Sequence, residues 1–271
     1  MLVTGATGNT GSAVSRLLTA AGVGVREASR RPGHGGIRFD WNDPATYRPA
    51  LAGIERMYLV APIGEAEPAP MVRPFLELGL GQGLRRVILL SSSATEPADK
   101  GLGALHRLVT DLLPEWAILR PSWFMQNFVG DHPVAHGLRH GVLTTATGDG
   151  RIGFVDAEDI AAVATHSLLQ ADAPNSELVI TGPEALSYAE VCTLAAELTG
   201  RPIRHLAVSA AERAAQIADT GVPREFAAIL ARMDEEISKG SEDRVTDTVV
   251  RLTGRSGTSV AQFLARHRAL L

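Results

Sequence analysis

Met1-Leu-Val-Thr-Gly5-Ala-Thr-Gly8-Asn-Thr-Gly11 opens the chain and runs on into Ser12-Ala-Val-Ser-Arg-Leu-Leu18. The stretch reads as a short apolar strand, a glycine turn and a helix with apolar residues at Val14, Leu17, Leu18 and Ala21. That is the order a dinucleotide-binding turn requires. Gly5 lets the chain leave the strand in a conformation that a Cβ resists. Gly8 leaves room for a pyrophosphate at the backbone, and Gly11 lets the helix pack close to the sheet. With Thr7, Asn9 and Thr10 they form the expected phosphate site at the helix N-terminus, where free N–H groups and the helix dipole favour negative charge. The spacing is Gly-x-x-Gly-x-x-Gly, so the strand-to-helix context carries the assignment. The alternative is a structural glycine loop that binds nothing.

The whole chain sets the class. Its 271 residues accommodate one large α/β domain, or one with a modest appendage, and 45% hydrophobic residues can fill a core. A net charge of −4 with no basic block gives no reason to expect a nucleic-acid partner. No apolar run reaches membrane length, and a strand beginning at Met1 leaves no room for a signal peptide. The single cysteine, Cys192, suits a reducing compartment, and the expected location is cytoplasmic, away from membranes. Cys192 sits in an apolar helical pattern and is expected to be a buried structural thiol.

Further along, Val23–Arg30 reads as a second strand, and its end is where the adenosine ribose of a dinucleotide lies. An acid there binds both ribose hydroxyls. Here Ser29 is followed by Arg30 and Arg31, a hydroxyl and two guanidinium groups that suit a 2′-phosphate. NADP(H) is therefore the expected cofactor, with NAD(H) the alternative and a solvated arginine loop the bland reading. Ile37–Asp40 is a third strand, with Asp40 placed to accept from the adenine amino group and Asp43 to cap the next helix ahead of Pro44. Arg56–Pro62 is a continuous apolar run suited to a central parallel strand, and its exit, Ala61-Pro62, falls near the middle of the cofactor. A helix over Met71–Leu80, a strand over Arg86–Leu90 ending in Ser91-Ser92-Ser93, a helix over Leu102–Leu113 and a strand over Trp116–Pro121 follow. This alternation predicts a doubly wound parallel sheet, a Rossmann fold. Ligands in such sheets bind beyond the strands' carboxyl ends, where Gly5–Gly11, Arg30, Asp40, Ala61, Pro62, Ser91 and Pro121 all fall.

Beyond Phe128 the regularity fails. Gly141–Thr145 suggests a small β element, a helix runs to Leu169, Glu177–Thr181 is a late strand, and Ser187 with Glu190 forms a capping box. The remainder is mostly helical, ending on 258–270. The expected division is a Rossmann core over 1–130, rejoined by 153–181, and a smaller, mostly helical substrate-binding part over 131–152 and 182–271. The alanine- and leucine-rich last helices fit a homodimer surface and intramolecular packing equally well.

Leu2-Val-Thr-Gly-Ala-Thr-Gly8, Leu89-Leu-Ser-Ser92, Leu119-Arg-Pro-Ser-Trp-Phe-Met-Gln-Asn127 and Phe154-Val-Asp-Ala-Glu-Asp-Ile-Ala161 together resemble the NmrA-like branch of the atypical short-chain dehydrogenase/reductases. The last hundred residues match only loosely. The resemblance implies NAD(P)-dependent redox chemistry on a Rossmann fold or, in some members, cofactor sensing without turnover. Members that look similar include quinone reductases and dehydrogenases of natural-product pathways.

One departure matters. Typical short-chain dehydrogenases use a tyrosine acid assisted by a lysine four residues on. Here Tyr47, Tyr58 and Tyr188 are followed at that spacing by Leu51, Pro62 and Cys192. The missing pair argues against simple alcohol–ketone interconversion and for an acceptor that takes hydride with little acid assistance, such as a quinone or an iminium. His106 lies on the helix that often faces the nicotinamide in related proteins, and either donates a proton or packs on an intermediate face. Ser92 either bonds a substrate carbonyl or closes the strand-end turn. Trp123, Phe124 and Phe128 gather aromatic area suited to a flat substrate, or to ordinary packing, and Asn127 orients a substrate oxygen or caps a turn. His132, His136 and His140 recur every four residues, but Pro133 and Gly137 interrupt the helix that would align them, so no metal is expected. The reading is an NADP(H)-preferring oxidoreductase acting on a small planar, conjugated aromatic. A redox sensor without turnover and an oxygenase of polycyclic aromatics remain as alternatives.

Overall fold

The computed structural model describes residues 1–271. In chain order its strands are β1 (Leu2–Thr4), β2 (Arg26–Ser29), β3 (Ile37–Arg38), β4 (Arg56–Val60), β5 (Arg86–Leu90), β6 (Glu115–Pro121), β7 (Val142–Thr145), β8 (Ser176–Ile180) and β9 (Arg204–Ala207). The helices are α1 (Asn9–Ala20), α2 (Tyr47–Leu51), α3 (Pro68–Leu80), α4 (Gly101–Leu112), α5 (Pro133–Arg139), α6 (Ala157–Leu169), α7 (Tyr188–Thr199), α8 (Ala210–Asp219), α9 (Arg224–Ser238), α10 (Thr248–Thr253) and α11 (Val260–Arg266). Two compact units result. The first comprises 1–121, 157–180 and 248–255, and the second 122–156, 181–247 and 256–271.

The first unit is a seven-stranded parallel sheet in the order β3-β2-β1-β4-β5-β6-β8. Its central strands are buried on both faces, which is why Met57–Leu59 and Val87–Leu89 read as unbroken apolar runs. Alternation sorts the side chains. Leu2, Met57, Leu59, Val87, Leu89 and Ile118 pack with α2, α3 and α4, and an aromatic group of Phe39, Trp41, Tyr47 and Phe75 closes the edge of that layer. The other face is covered by α1, α6 and α10. This is the doubly wound Rossmann arrangement, and the strand order reverses between β1 and β4.

Two details depart from the sequence expectation or go beyond it. β2 begins at Arg26 rather than Val23, because three-residue β1 offers partners only from Leu2↔Arg26 to Thr4↔Ala28. The guanidinium of Arg86 is fully buried under the end of α6. It donates to the carbonyls of Ser167, Leu168, Gln170 and Ala171 and pairs with Glu115 at 2.7 Å. With Arg56, which donates to the Leu168, Leu169 and Gln170 carbonyls, it satisfies the orphan acceptors of that helix end.

In the second unit β7 pairs in parallel with β9, a strand without a sequence signal because Arg204-His-Leu-Ala lies almost entirely at the surface. The core of this unit gathers Phe128, Phe154, Tyr188 and Phe263. The Ser187–Glu190 capping box forms as expected. No helix is long and apolar enough to cross a membrane.

Candidate cofactor and active site

The β1–α1 turn is built as its glycines require. Gly5 has φ +61°, in the left-handed region where a Cβ is strained. A Cβ on Gly11 would lie 2.3 Å from the Gly5 carbonyl oxygen, so only glycine lets α1 approach this closely. Gly8 is the extended N-cap residue, with no side-chain cap on the helix. The first-turn N–H groups of α1 are therefore uncapped by any side chain, and Thr7, Gly8 and Asn9 are exposed around them. Thr10 differs: its hydroxyl is buried and accepts from Tyr58 Oη at 2.9 Å, which leaves only its backbone for a ligand.

At the β2 exit, Arg30 and Arg31 are exposed, while the Ser29 hydroxyl is buried without a hydrogen-bond partner. Asp40 is half-buried, and its carboxylate accepts from the Asn42 N–H at 3.0 Å. Asp43 caps the short turn that begins at Pro44, as read from sequence. At the β4 exit Ala61 and Pro62 are half-buried, and the next residue, Ile63, is 94% exposed. An isoleucine laid bare at the ligand end of a sheet is a feature that sequence reasoning missed.

The serines after β5 take different roles. Ser91 Oγ lies 2.5 Å from His106 Nε2. Ser92 is half-buried and accepts from the Ala94 N–H, as in a strand-end turn. Ser93 donates its N–H to the Pro121 carbonyl, so buried Pro121 ties β6 to the β5 loop. His106 is itself fully buried, with Nδ1 3.9 Å from a Glu177 carboxylate oxygen. Glu177 in turn pairs with Arg120 at 2.7 Å, and Arg120 also binds Glu96. Burial lowers the His106 pKa, Glu177 and Glu96 oppose that, and Arg120 adds to it. Glu177 and Arg120 were not recognised from sequence, although charged residues inside otherwise apolar parallel strands are a visible anomaly.

In the second unit Trp123, Phe124 and Asn127 are half-buried. The Trp123 carbonyl accepts from Val155 N–H, and Met125 N–H donates to Val155 O, both at 2.9 Å, which holds the stretch extended. Phe128 does not share their exposure. It is fully buried against Phe154, with ring centroids 4.9 Å apart. The helix over 133–139 is continuous, which corrects the expectation that Pro133 and Gly137 break it: Pro133 starts the helix and His132 caps it. His136 bonds Asp131, and His140 bonds the His136 carbonyl. Cys192 is buried, and burial pushes its thiol up to about 12, the mark of an inert group.

No protein-family model matches the chain. It is 40% identical over 273 residues to the uncharacterized oxidoreductase YesF of Bacillus subtilis, covering 99% of this chain and 95% of that protein. Against festuclavine synthase I of Penicillium roqueforti it is 32% identical, covering 94% and 93%. The chain belongs to the atypical short-chain dehydrogenase/reductases. It is an NAD(P)-dependent oxidoreductase of that family. Its fold is shared with the NADPH-dependent quinone oxidoreductase of Escherichia coli, solved with NADPH, at a TM-score of 0.84 and 24% identity, covering 98% and 99% of the two chains.

The tyrosines of this oxidoreductase are all otherwise engaged or buried. Tyr58 lies inside β4 with its hydroxyl on Thr10, Tyr47 donates to the Trp41 carbonyl, and Tyr188 is buried in α7. Burial raises all three pKa values above the ordinary phenol. The only lysines, Lys100 and Lys239, cap α4 and follow α9.

Proposed function

We propose that this chain transfers hydride between NADP(H) and a planar, conjugated acceptor. The observation that carries the cofactor half is the uncapped α1 terminus together with exposed Arg30 and the unpartnered, buried Ser29 hydroxyl at the neighbouring strand exit. That set fits a dinucleotide bearing a 2′-phosphate: N–H donors for the pyrophosphate, guanidinium and hydroxyl for the ribose phosphate. Gly5, Gly8 and Gly11 shape the first site, Ser29, Arg30 and Asp40 bind the adenosine end, and Ala61, Pro62 and Ser91 flank the middle. The structural neighbour named for quinones supports a conjugated acceptor. Trp123, Phe124 and Asn127 are the residues we assign to it, while Phe128 serves the core.

When bound, the nicotinamide supplies hydride. The chain supplies position: holding donor and acceptor in contact contributes roughly 7–11 kcal/mol toward the barrier. The purified protein should therefore oxidise NADPH anaerobically with naphthoquinones, saturably and faster than NADH. Tight NADPH binding without turnover on any quinone, iminium or azo acceptor would instead mark a sensor, and turnover only with oxygen admitted an oxygenase. Arg30→Ala should weaken NADPH at least tenfold while leaving NADH within twofold, read as paired KM values, since one charge-assisted phosphate bond is worth about 1.5–3 kcal/mol. Equal loss for both cofactors would sink the 2′-phosphate assignment.

A further inference from the structure

We propose that Ser91 is the hydroxyl that exchanges a proton with the substrate, and that His106, held between Ser91 and Glu177, acts through it as the proton store. The inference rests on the reductase reading above. Side-chain alternation carries it: Val87 and Leu89 pack on the α4 side of the sheet, and Ser91, two residues further on, keeps their parity and faces α4 as well. There it meets His106 at 2.5 Å, at the carboxyl end of a central strand where ligands of this fold bind. Arg120, two residues beyond Ile118 on β6, falls on the same face and fixes Glu177 beside the imidazole.

The arrangement selects a tautomer. His106 Nδ1 faces the Glu177 carboxylate at 3.9 Å, so a proton is favoured there, and Nε2 is left to accept from Ser91 Oγ–H. Protonation of Nε2 reverses that bond: Nε2–H donates to Ser91 Oγ, and the serine proton turns outward. For a quinone, two electrons arrive with the hydride and leave an oxyanion. The oxyanion takes the Ser91 proton, Ser91 retakes one from Nε2–H, and the imidazole, now neutral, recovers a proton from water before the next turnover. In oxidation the same protons move in reverse. An iminium needs none of this, because hydride alone makes it a neutral amine.

Glu177 and Glu96 favour the imidazolium, while burial and Arg120 oppose it, and the net is a pKa below the ordinary histidine value. Quinone reduction should therefore fall as pH rises through that low pKa, and hydroxyl oxidation should rise. Ser91→Ala should lose roughly 10²–10⁴-fold in kcat on quinones, the usual worth of a positioned acid, a loss much larger than in kcat on an iminium, which needs no proton. Ser91→Thr should restore most of the loss, and His106→Gln should flatten the pH profile.

A second readout needs no turnover. Nitrogen NMR of the imidazoles, assigned by the signal lost in His106→Gln, should show the Nδ1–H tautomer, with its Nε2 resonance moved by Ser91→Ala and its midpoint lowered further by Glu177→Gln. An Nε2–H tautomer indifferent to Ser91→Ala would overturn the relay. Wild-type turnover that Ser91→Ala retains on quinones would overturn the relay alone and leave the reductase reading standing. Absence of turnover with every acceptor would overturn both.

Discussion

Gly11→Val abolishes useful NADPH binding: the expected loss of affinity is about 100-fold or more, read by quenching of protein fluorescence or by calorimetry. A Cβ at this position would stand 2.3 Å from the Gly5 oxygen, 2.8 Å from its carbon and 3.1 Å from Ala6 Cα, all backbone atoms with no side chain able to yield. The first turn of α1 must then move away from the β1 exit and carry its N–H groups with it. Two phosphate-to-amide bonds at about 1.5 kcal/mol each account for some 3 kcal/mol, which is the stated hundredfold. Gly22→Ala is the control. It lies just past the other end of the same helix at φ +76° with nothing within 4 Å of an added Cβ. It should cost about 1 kcal/mol of backbone strain and leave NADPH affinity alone. Full affinity in Gly11→Val would remove the phosphates from α1.

Arg86→Met lowers stability by about 3–5 kcal/mol, because the substitution removes the 2.7 Å partner of a largely buried Glu115 carboxylate and the donor to the Ser167 and Ala171 carbonyls, leaving Glu115 only Arg85 at 3.5 Å and the α6 end only Arg56 on the Leu168, Leu169 and Gln170 carbonyls. The side chain has nearly the same volume, so the loss is one of charge and hydrogen bonds rather than of packing. For a chain this long the melting temperature should drop by roughly 6–20 °C. Arg85→Met tests the attribution. Arg85 also pairs with Glu115, but at 3.5 Å and with its side chain 69% exposed, and such pairs contribute no more than about 1 kcal/mol. Equal melting of the two variants would show that the α6 cap carries no stability.

How much of this was legible beforehand varies by element. The turn from Gly5 to Gly11 is local, and each glycine acts on atoms a few residues away, so its geometry follows from order and spacing. The parallel sheet was equally readable, because strands buried on both faces must be apolar throughout, as Val87–Leu89 and Met57–Leu59 are. Strand β9 was not, since an edge pair with exposed side chains leaves no hydrophobic period to find. Phe128 shows the same limit from the other side. An aromatic residue near a ligand end reads alike whether it lines a pocket or fills a core, and only its packing on Phe154 and Phe263 distinguishes the two.

His106 marks the boundary most clearly. Sequence alone determined the Rossmann class, the glycine turn from Gly5 to Gly11, the two arginines that follow β2 and the lack of a lysine four residues after any tyrosine, since each depends on neighbours within a few positions or on composition. Tertiary structure decided that His106 meets Ser91 rather than Ser92, and that Glu177 and Arg120 stand behind it. Those residues come from α4, the end of β5, β6 and β8, far apart in the chain, and are joined only by strand register and side-chain parity. A one-residue slip in either strand would turn Arg120 or Glu177 to the opposite face, and nothing within the local sequence specifies that register.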